Sequence, residues 1–199
     1  MAGAACVGAG VGPKDIDEIW GVIKAYGTRV GAGPFPTEVD GSLADEIRER
    51  GGEYGTTTGR ARRVGWLDLV ALRYAARINS LTALAVMKLD VLSGFERLCV
   101  CTRYRGPEGA EFDYFPYHQT VLHHAGGEYV HLPGWTEDLS DCRDEADLPA
   151  AAREYLQFVS EFVGVPIALV GVGPGGDQVI WTQASAGMAG SGNPASASV

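Results

Sequence analysis

The stretch LDLVALRYAARINSLTALAVMKLD at positions 67–90 decides the fold. Leu67, Val70, Ala71, Tyr74, Ala75 and Ile78 recur at steps of three and four, which predicts an amphipathic helix closed by Asn79-Ser80. The run Ala83–Met87 that follows is short, apolar and uncharged, as in a strand buried on both faces. A helix feeding a buried strand points to an α/β fold. The same order returns later. Pro149 suits a first helical turn, Tyr155, Leu156, Val159, Phe162 and Val163 give an apolar stripe, and Gly164 suits the C′ position. Val165–Val170 then reads as a second buried strand, with Pro166 near its start, where a strand tolerates proline.

Working outward, residues 1–13 read as a Gly/Ala-rich loop or a curtailed strand, and Asp15–Trp20 as a short helix. Gly21–Tyr26 reads as a strand. The segment 28–38 carries paired Gly and Pro and reads as a loop. Ser42 and Asp45 have the spacing of a capping box, which predicts a helix over 43–50 that ends at Gly51-Gly52. Glu96–Tyr104 reads as a strand, Gly106-Pro107-Glu108-Gly109 as a turn, and Glu111–Tyr117 as its antiparallel return. Residues 118–147 read as polar and irregular, with a turn at Pro133-Gly134-Trp135. Asp177–Trp181 reads as extended. The Ala/Ser/Gly-rich 184–199 reads as a disordered tail, which leaves 1–183 as the folded unit.

The chain has 199 residues and a formal net charge of −9, enough length for one substantial core. The acidic balance argues against general nucleic-acid binding. No apolar run approaches the ~20 residues that span a membrane, and the first dozen residues lack the regions of a signal peptide. A cytoplasmic protein with reduced thiols at Cys6, Cys99, Cys101 and Cys142 is the expectation. Neither these cysteines nor His118, His123, His124 and His131 show metal-ligand spacing, so no metal site is expected on this chain.

Against that acidic background, Gly55-Thr56-Thr57-Thr58-Gly59-Arg60-Ala61-Arg62-Arg63 concentrates three hydroxyls and three guanidiniums. Arg presents a planar fork that matches carboxylate or phosphate, and Gly lets backbone N–H groups approach a ligand. The segment reads as a site for small anions, set against a solvated basic turn. Lys88-Leu89-Asp90 sits where ligands gather in α/β sheets, outside the carboxyl end of a strand. A carboxylate there can accept from the N1–H and amino group of guanine, whereas adenine would leave it unpaired. Taken alone, the same three residues also fit a strand-end salt bridge. Gly171-Val172-Gly173 follows a strand too, but opens no helix, which weakens a phosphate-loop reading and leaves room for a flat base or a plain turn.

Together these segments resemble the adenylosuccinate synthetase family in its C-terminal portion. The resemblance is carried by GVIKAYGTRVGAGPFPTE at 21–38, GEYGTTTGRARRVGWLDLVALRYA at 52–75 and MKLDVLSGFERLCVCTRY at 87–104, and extended by LPGWTEDLS at 132–140 and GVPIALVGVGP at 164–174. It implies a GTP-dependent ligase of purine (AMP) biosynthesis that joins IMP and L-aspartate. GTP phosphorylates the 6-oxygen of IMP, the aspartate amine displaces that phosphate, and Mg²⁺ bridges the phosphoryl groups. It further implies part of a P-loop-NTPase-like sheet with helices, a β-rich subdomain, and a homodimer.

By resemblance, Thr56, Thr57, Thr58, Gly59, Arg60 and Arg62 bind aspartate, with Arg60 also beside IMP and Arg62 near the GTP ribose. The Val30 backbone touches IMP. Lys88, Leu89 and Asp90 hold guanine, and Gly171, Val172 and Gly173 complete its pocket. Family members often carry Ser where Gly171 stands, and usually an Arg where Gly175 and Gly176 stand. The family's phosphate loop, catalytic Asp and His and most of its Mg²⁺ site belong to an N-terminal half that this chain lacks. The expectation is therefore a C-terminal part without catalytic residues of its own, inactive alone. A stand-alone guanine-nucleotide-binding module, or a truncated product with a sticky sheet edge, are the alternatives.

Overall fold

A computed structural model describes residues 1–186. In chain order its elements are α1 (Ala4–Ala9), β1 (Trp20–Lys24), β2 (Gly27–Arg29), α2 (Gly41–Gly51), β3 (Arg63–Gly65), β4 (Leu67–Asp68), α3 (Leu69–Asn79) and β5 (Ala83–Met87). There follow β6 (Arg97–Arg105), β7 (Glu111–Phe112), α4 (Gln119–His123), β8 (Gly126–Pro133), α5 (Ala150–Val163), β9 (Ile167–Gly171), β10 (Val179–Trp181) and α6 (Gln183–Ala186).

The apolar runs at 83–87 and 167–171 become neighbouring parallel strands because each buries both faces. β1 adds on the far side of β5, parallel, with Trp20 opposite Ala83 and Lys24 opposite Met87. β10 closes the order β1-β5-β9-β10 antiparallel to β9. A second sheet is centred on β6, with β4 parallel to it and β7 and β8 antiparallel; β2 and β3 form a separate two-stranded ribbon. The fold is thus mixed α/β, as the helix-then-strand order indicated.

α3 and α5 pack on one another and reach the second sheet, α3 against β6 and α5 against β8. Leu72 and Ala76 of α3, Tyr155 and Val159 of α5, Leu84 and Val86 of β5 and Leu98 and Val100 of β6 share one core. Sequence periodicity located both helices because their apolar stripes face this core. Asp68 caps α3, accepting from the Ala71 amide at 2.9 Å, so the helix starts two residues after Leu67 and leaves Leu67 to β4.

Several local expectations fail for identifiable reasons. Residues 15–20 form no helix. Asp15 closes a single 3-10 turn at 13–15, and Thr82 then exchanges backbone and side-chain hydrogen bonds with Ile19, drawing the chain extended into β1. Ala4–Ala9 is helical rather than loop, an exposed Ala-rich turn ended by Gly10 at φ 68°. The capping box at Ser42 does not form: Asp40 occupies the N-cap position without a side-chain hydrogen bond, and Asp45 pairs with Arg48 instead. The irregular reading of 118–147 misses β8, which pairs with β6 from Arg97–Pro133 to Arg105–Gly126. The expected return strand 111–117 stops at Phe112, and Phe115 turns in to stack on Tyr74 at 5.0 Å. Residues 184–186 belong to the helical turn α6, and the rest of the expected tail, 187–199, lies outside the described residues.

Candidate functional site

The Thr/Arg loop is a closed structure. Tyr54 and Ala61 form an antiparallel bridge, the Gly55 amide donates to the Arg60 carbonyl at 2.9 Å, and the Gly59 amide donates to the Gly55 carbonyl at 2.8 Å. Gly59 takes φ +64°, a left-handed conformation that favours glycine. The fold therefore holds Thr56–Arg60 as an exposed tip above a bridged base.

Beneath the tip lies a cavity of about 340 Å³ lined by Arg29, Val30, Gly31, Gly55, Thr58, Arg60, Arg62 and Arg63. It brings Val30, Thr58, Arg60 and Arg62 together from two distant segments. Thr56 and Thr57 lie at the exposed tip and do not line it. Arg63 is tied down by a two-pronged contact with Glu38 and by the carbonyls of Gly31 and Gly33. Among the described residues Arg60 has no acidic partner, so its fork is open to an anion.

The second cluster forms at the carboxyl ends of β5 and β9. Because Val86 pairs with Val170 in parallel, Lys88-Leu89-Asp90 and Gly171-Val172-Gly173 emerge at the same end of the sheet. Lys88 turns the chain with φ 62°, Leu89–Leu92 form a 3-10 turn, and Leu89 is fully buried. The Asp90 carboxyl keeps one buried oxygen, Oδ1, with no hydrogen-bond partner, and burial pushes its pKa above the usual aspartate value. After Gly171 the chain makes no helix. Val172 donates to the Gln178 carbonyl, and Gln178 folds against Gly173, donates to the Ser140 carbonyl and accepts from the Gly175 amide.

The residue that sequence reasoning missed is Glu53. Its carboxylate is completely buried and accepts from Lys24 Nζ at 2.8 Å, Tyr26 Oη at 2.6 Å, Arg62 Nη1 at 2.8 Å and Lys88 Nζ at 3.1 Å. Burial raises its pKa, but donation from Lys24, Tyr26, Arg62 and Lys88 outweighs this and brings it down to about 2. No local pattern announces it, because its four partners come from three separate segments, at 24–26, 62 and 88. The one sequence signal is a lone acid wedged between Gly51-Gly52 and the basic loop.

Other candidate chemistry is thin. Cys99 Sγ lies 3.2 Å from His131 Nδ1 across the β6–β8 ladder, but burial raises the thiol pKa, away from a reactive thiolate. Cys101 is pushed up to about 12 by burial and by Asp68. The four cysteines are free. Among the described residues no three or more His, Cys, Asp or Glu side chains gather as a metal site, and no helix is long and apolar enough to cross a membrane.

The adenylosuccinate synthetase family model matches residues 1–180. The chain belongs to the adenylosuccinate synthetase family. It is 55% identical over 179 residues to the adenylosuccinate synthetase of Frankia alni, covering 90% of this chain and 42% of that protein. The enzyme of Moorella thermoacetica is 52% identical over 182 residues, again covering 90% and 42%. Among solved structures, a fully ligated adenylosuccinate synthetase from Plasmodium falciparum superposes with a TM-score of 0.85 at 37% identity, covering 90% of this chain and 43% of that one. The chain therefore spans less than half the length of the adenylosuccinate synthetases it matches.

Proposed function

We propose that the chain is the C-terminal part of a GTP-dependent ligase that joins IMP and L-aspartate into adenylosuccinate, and that it supplies the aspartate loop and the guanine pocket. The observation that carries this reading is Asp90, a buried carboxylate oxygen left without a partner at the carboxyl end of a parallel strand. An orphaned buried acceptor costs ~1–3 kcal/mol, which a ligand with two adjacent donors recovers. Guanine offers that pair on N1 and N2; adenine does not. Lys88 and the backbone of Leu89 flank the base, and Gly171, Val172 and Gly173 close the pocket.

The cavity under the Thr/Arg loop takes the other substrates. The Arg60 fork holds the aspartate carboxylate next to IMP, Thr56, Thr57, Thr58 and Gly59 add hydroxyl and amide donors, and the Val30 backbone meets IMP. Arg62, fixed by Glu53, faces the nucleotide ribose. The three parallel strands are read as part of a larger P-loop-NTPase-like sheet, with residues 1–183 as the family unit. The described residues do not fit a Mg²⁺ site, since no cluster of acidic ligands is present. The ion, the general base and the phosphate loop are assigned to the rest of the family length, so the chain alone is read as inactive. A homodimer and a cytoplasmic location follow from the family reading.

Titration calorimetry of the folded chain with GDP, and with ADP as control, tests the pocket. Heat with GDP alone is the expected result. Binding of both or of neither would overturn guanine recognition by Asp90. Turnover of IMP, GTP and aspartate by the chain alone would overturn its reading as an incomplete part.

A further inference from the structure

Arg62 and Lys88 belong to different clusters, one just before β3 and the other just after β5, yet both end on one carboxylate. Arg62 Nη1 reaches Glu53 Oε2 at 2.8 Å, and Lys88 Nζ reaches Oε1 at 3.1 Å. Lys24, the last residue of β1, and Tyr26 also donate to Oε1. Three donors therefore share Oε1 while Arg62 alone holds Oε2, so Glu53 is held by both carboxylate oxygens. Its backbone is fixed as well. The Glu53 amide donates to the Arg48 carbonyl at 2.9 Å, and the Arg62 amide donates to the Glu53 carbonyl at 2.9 Å. Lys88 is held a second time by the Gly51 carbonyl at 2.6 Å, at the C-terminal end of α2.

We infer that Glu53 is a positioning residue that couples the strand-end pocket to the Thr/Arg loop, so that a guanine nucleotide seated at Lys88 orders the loop that receives the carboxylate substrate. The inference rests on the assignment of those two clusters made above. The physical ground is charge. Three partly exposed cations converge on one fully buried anion, so each cation's position depends on how the carboxylate is shared among the others. When a ligand fixes Lys88 against a purine face, Glu53 loses freedom, and with it the guanidinium and backbone of Arg62. An ion cluster that served packing alone would stabilise the fold without linking the order of one cluster to the other.

Amide hydrogen exchange on the full chain reads this directly. The Gly55, Gly59 and Arg62 amides are bonded within the loop, and the Val91 and Ser93 amides within the strand-end turn. Lys88→Met should speed exchange in the loop by about tenfold, the scale of one lost charge-assisted hydrogen bond, and Arg62→Met should do the same in the turn. Exchange across α5 should stay unchanged in both. If each variant's effect stays within its own cluster, the coupling is overturned. Glu53→Gln should release both clusters; should it unfold the chain, the two cation variants still decide. GDP should slow exchange in both clusters of the unaltered chain. Slowing at Val91 and Ser93 alone would overturn the coupling. No slowing anywhere would count against the nucleotide reading, and the ligand-free variants would judge the coupling independently.

Discussion

The hydroxyl of Tyr155 donates to the carbonyl oxygen of Ala25 at 2.6 Å, a buried hydrogen bond across 130 residues of chain. It ties α5 to the residue that follows β1, and the next residue, Tyr26, holds Glu53. The helix thereby braces the carboxylate from behind.

Tyr155→Phe would leave the Ala25 carbonyl without this donor in a site closed to water. A loss of about 1–3 kcal/mol is expected, the cost of an orphaned buried polar group. Urea unfolding would measure it as a lower midpoint with an unchanged slope.

Glu53 sets the acid response. Its folded pKa of about 2 lies below the ordinary 4.5, so the folded state releases the proton more readily than the unfolded chain. Its stabilisation is complete above the ordinary value and is lost as pH falls from there toward about 2. The full effect is on the order of 3 kcal/mol. Urea titrations across that window should show stability falling steeply in the unaltered chain. Glu53→Gln should be weaker by up to about 3 kcal/mol at neutral pH, because three partly exposed cations lose their counter-charge, and its acid slope should be flatter.

Asp90 works in the opposite direction. Burial raises its pKa, so its charged form is disfavoured in the folded state and stability is lost as pH rises through the folded value. Asp90→Ala should keep or slightly raise the thermal midpoint while weakening GDP binding at least ~10-fold. A variant that loses stability and keeps its GDP affinity would remove Asp90 from the pocket.

The helices α3 and α5 and the buried strands β5 and β9 were legible because each rests on a pattern of the chain itself: the stripe from Leu67 to Ile78, the stripe from Tyr155 to Val163, and the apolar runs ending at Met87 and Val170. β8 was not, because Gly126–Pro133 is only half-buried and has no alternation of its own; β6 supplies its order. The same division holds at the site. Arg60, Arg62, Lys88 and Asp90 could be singled out from their immediate neighbours. Glu53 could not, since its role depends on Lys24, Arg62 and Lys88 converging from separate parts of the chain.

Two glycines separate tight packing from adjustable packing. A Cβ at Gly134 would run into the carbonyl oxygen of Phe95, which is backbone and cannot step aside. A Cβ at Gly171 would meet Met87 Cε at 2.6 Å, the far end of a flexible side chain. Gly134→Ala should cost about 2 kcal/mol or more, and Gly171→Ser under about 1 kcal/mol, by thermal unfolding.

The parallel order of β1, β5 and β9 also imposes a schedule. A ribosome releases Trp20–Lys24 first, their partners Ala83–Met87 later, and Ile167–Gly171 close to the end. At ~5–20 residues per second, roughly 7–30 seconds separate the first of these strands from the last. Through the later part of that interval the nascent chain carries Glu53, Arg62 and Lys88 but not Gly171-Val172-Gly173 at the end of β9. Translation therefore delivers the Thr/Arg loop and the Lys88–Asp90 turn before the glycine segment, and a ribosome halted before Gly171 holds the first two without the third.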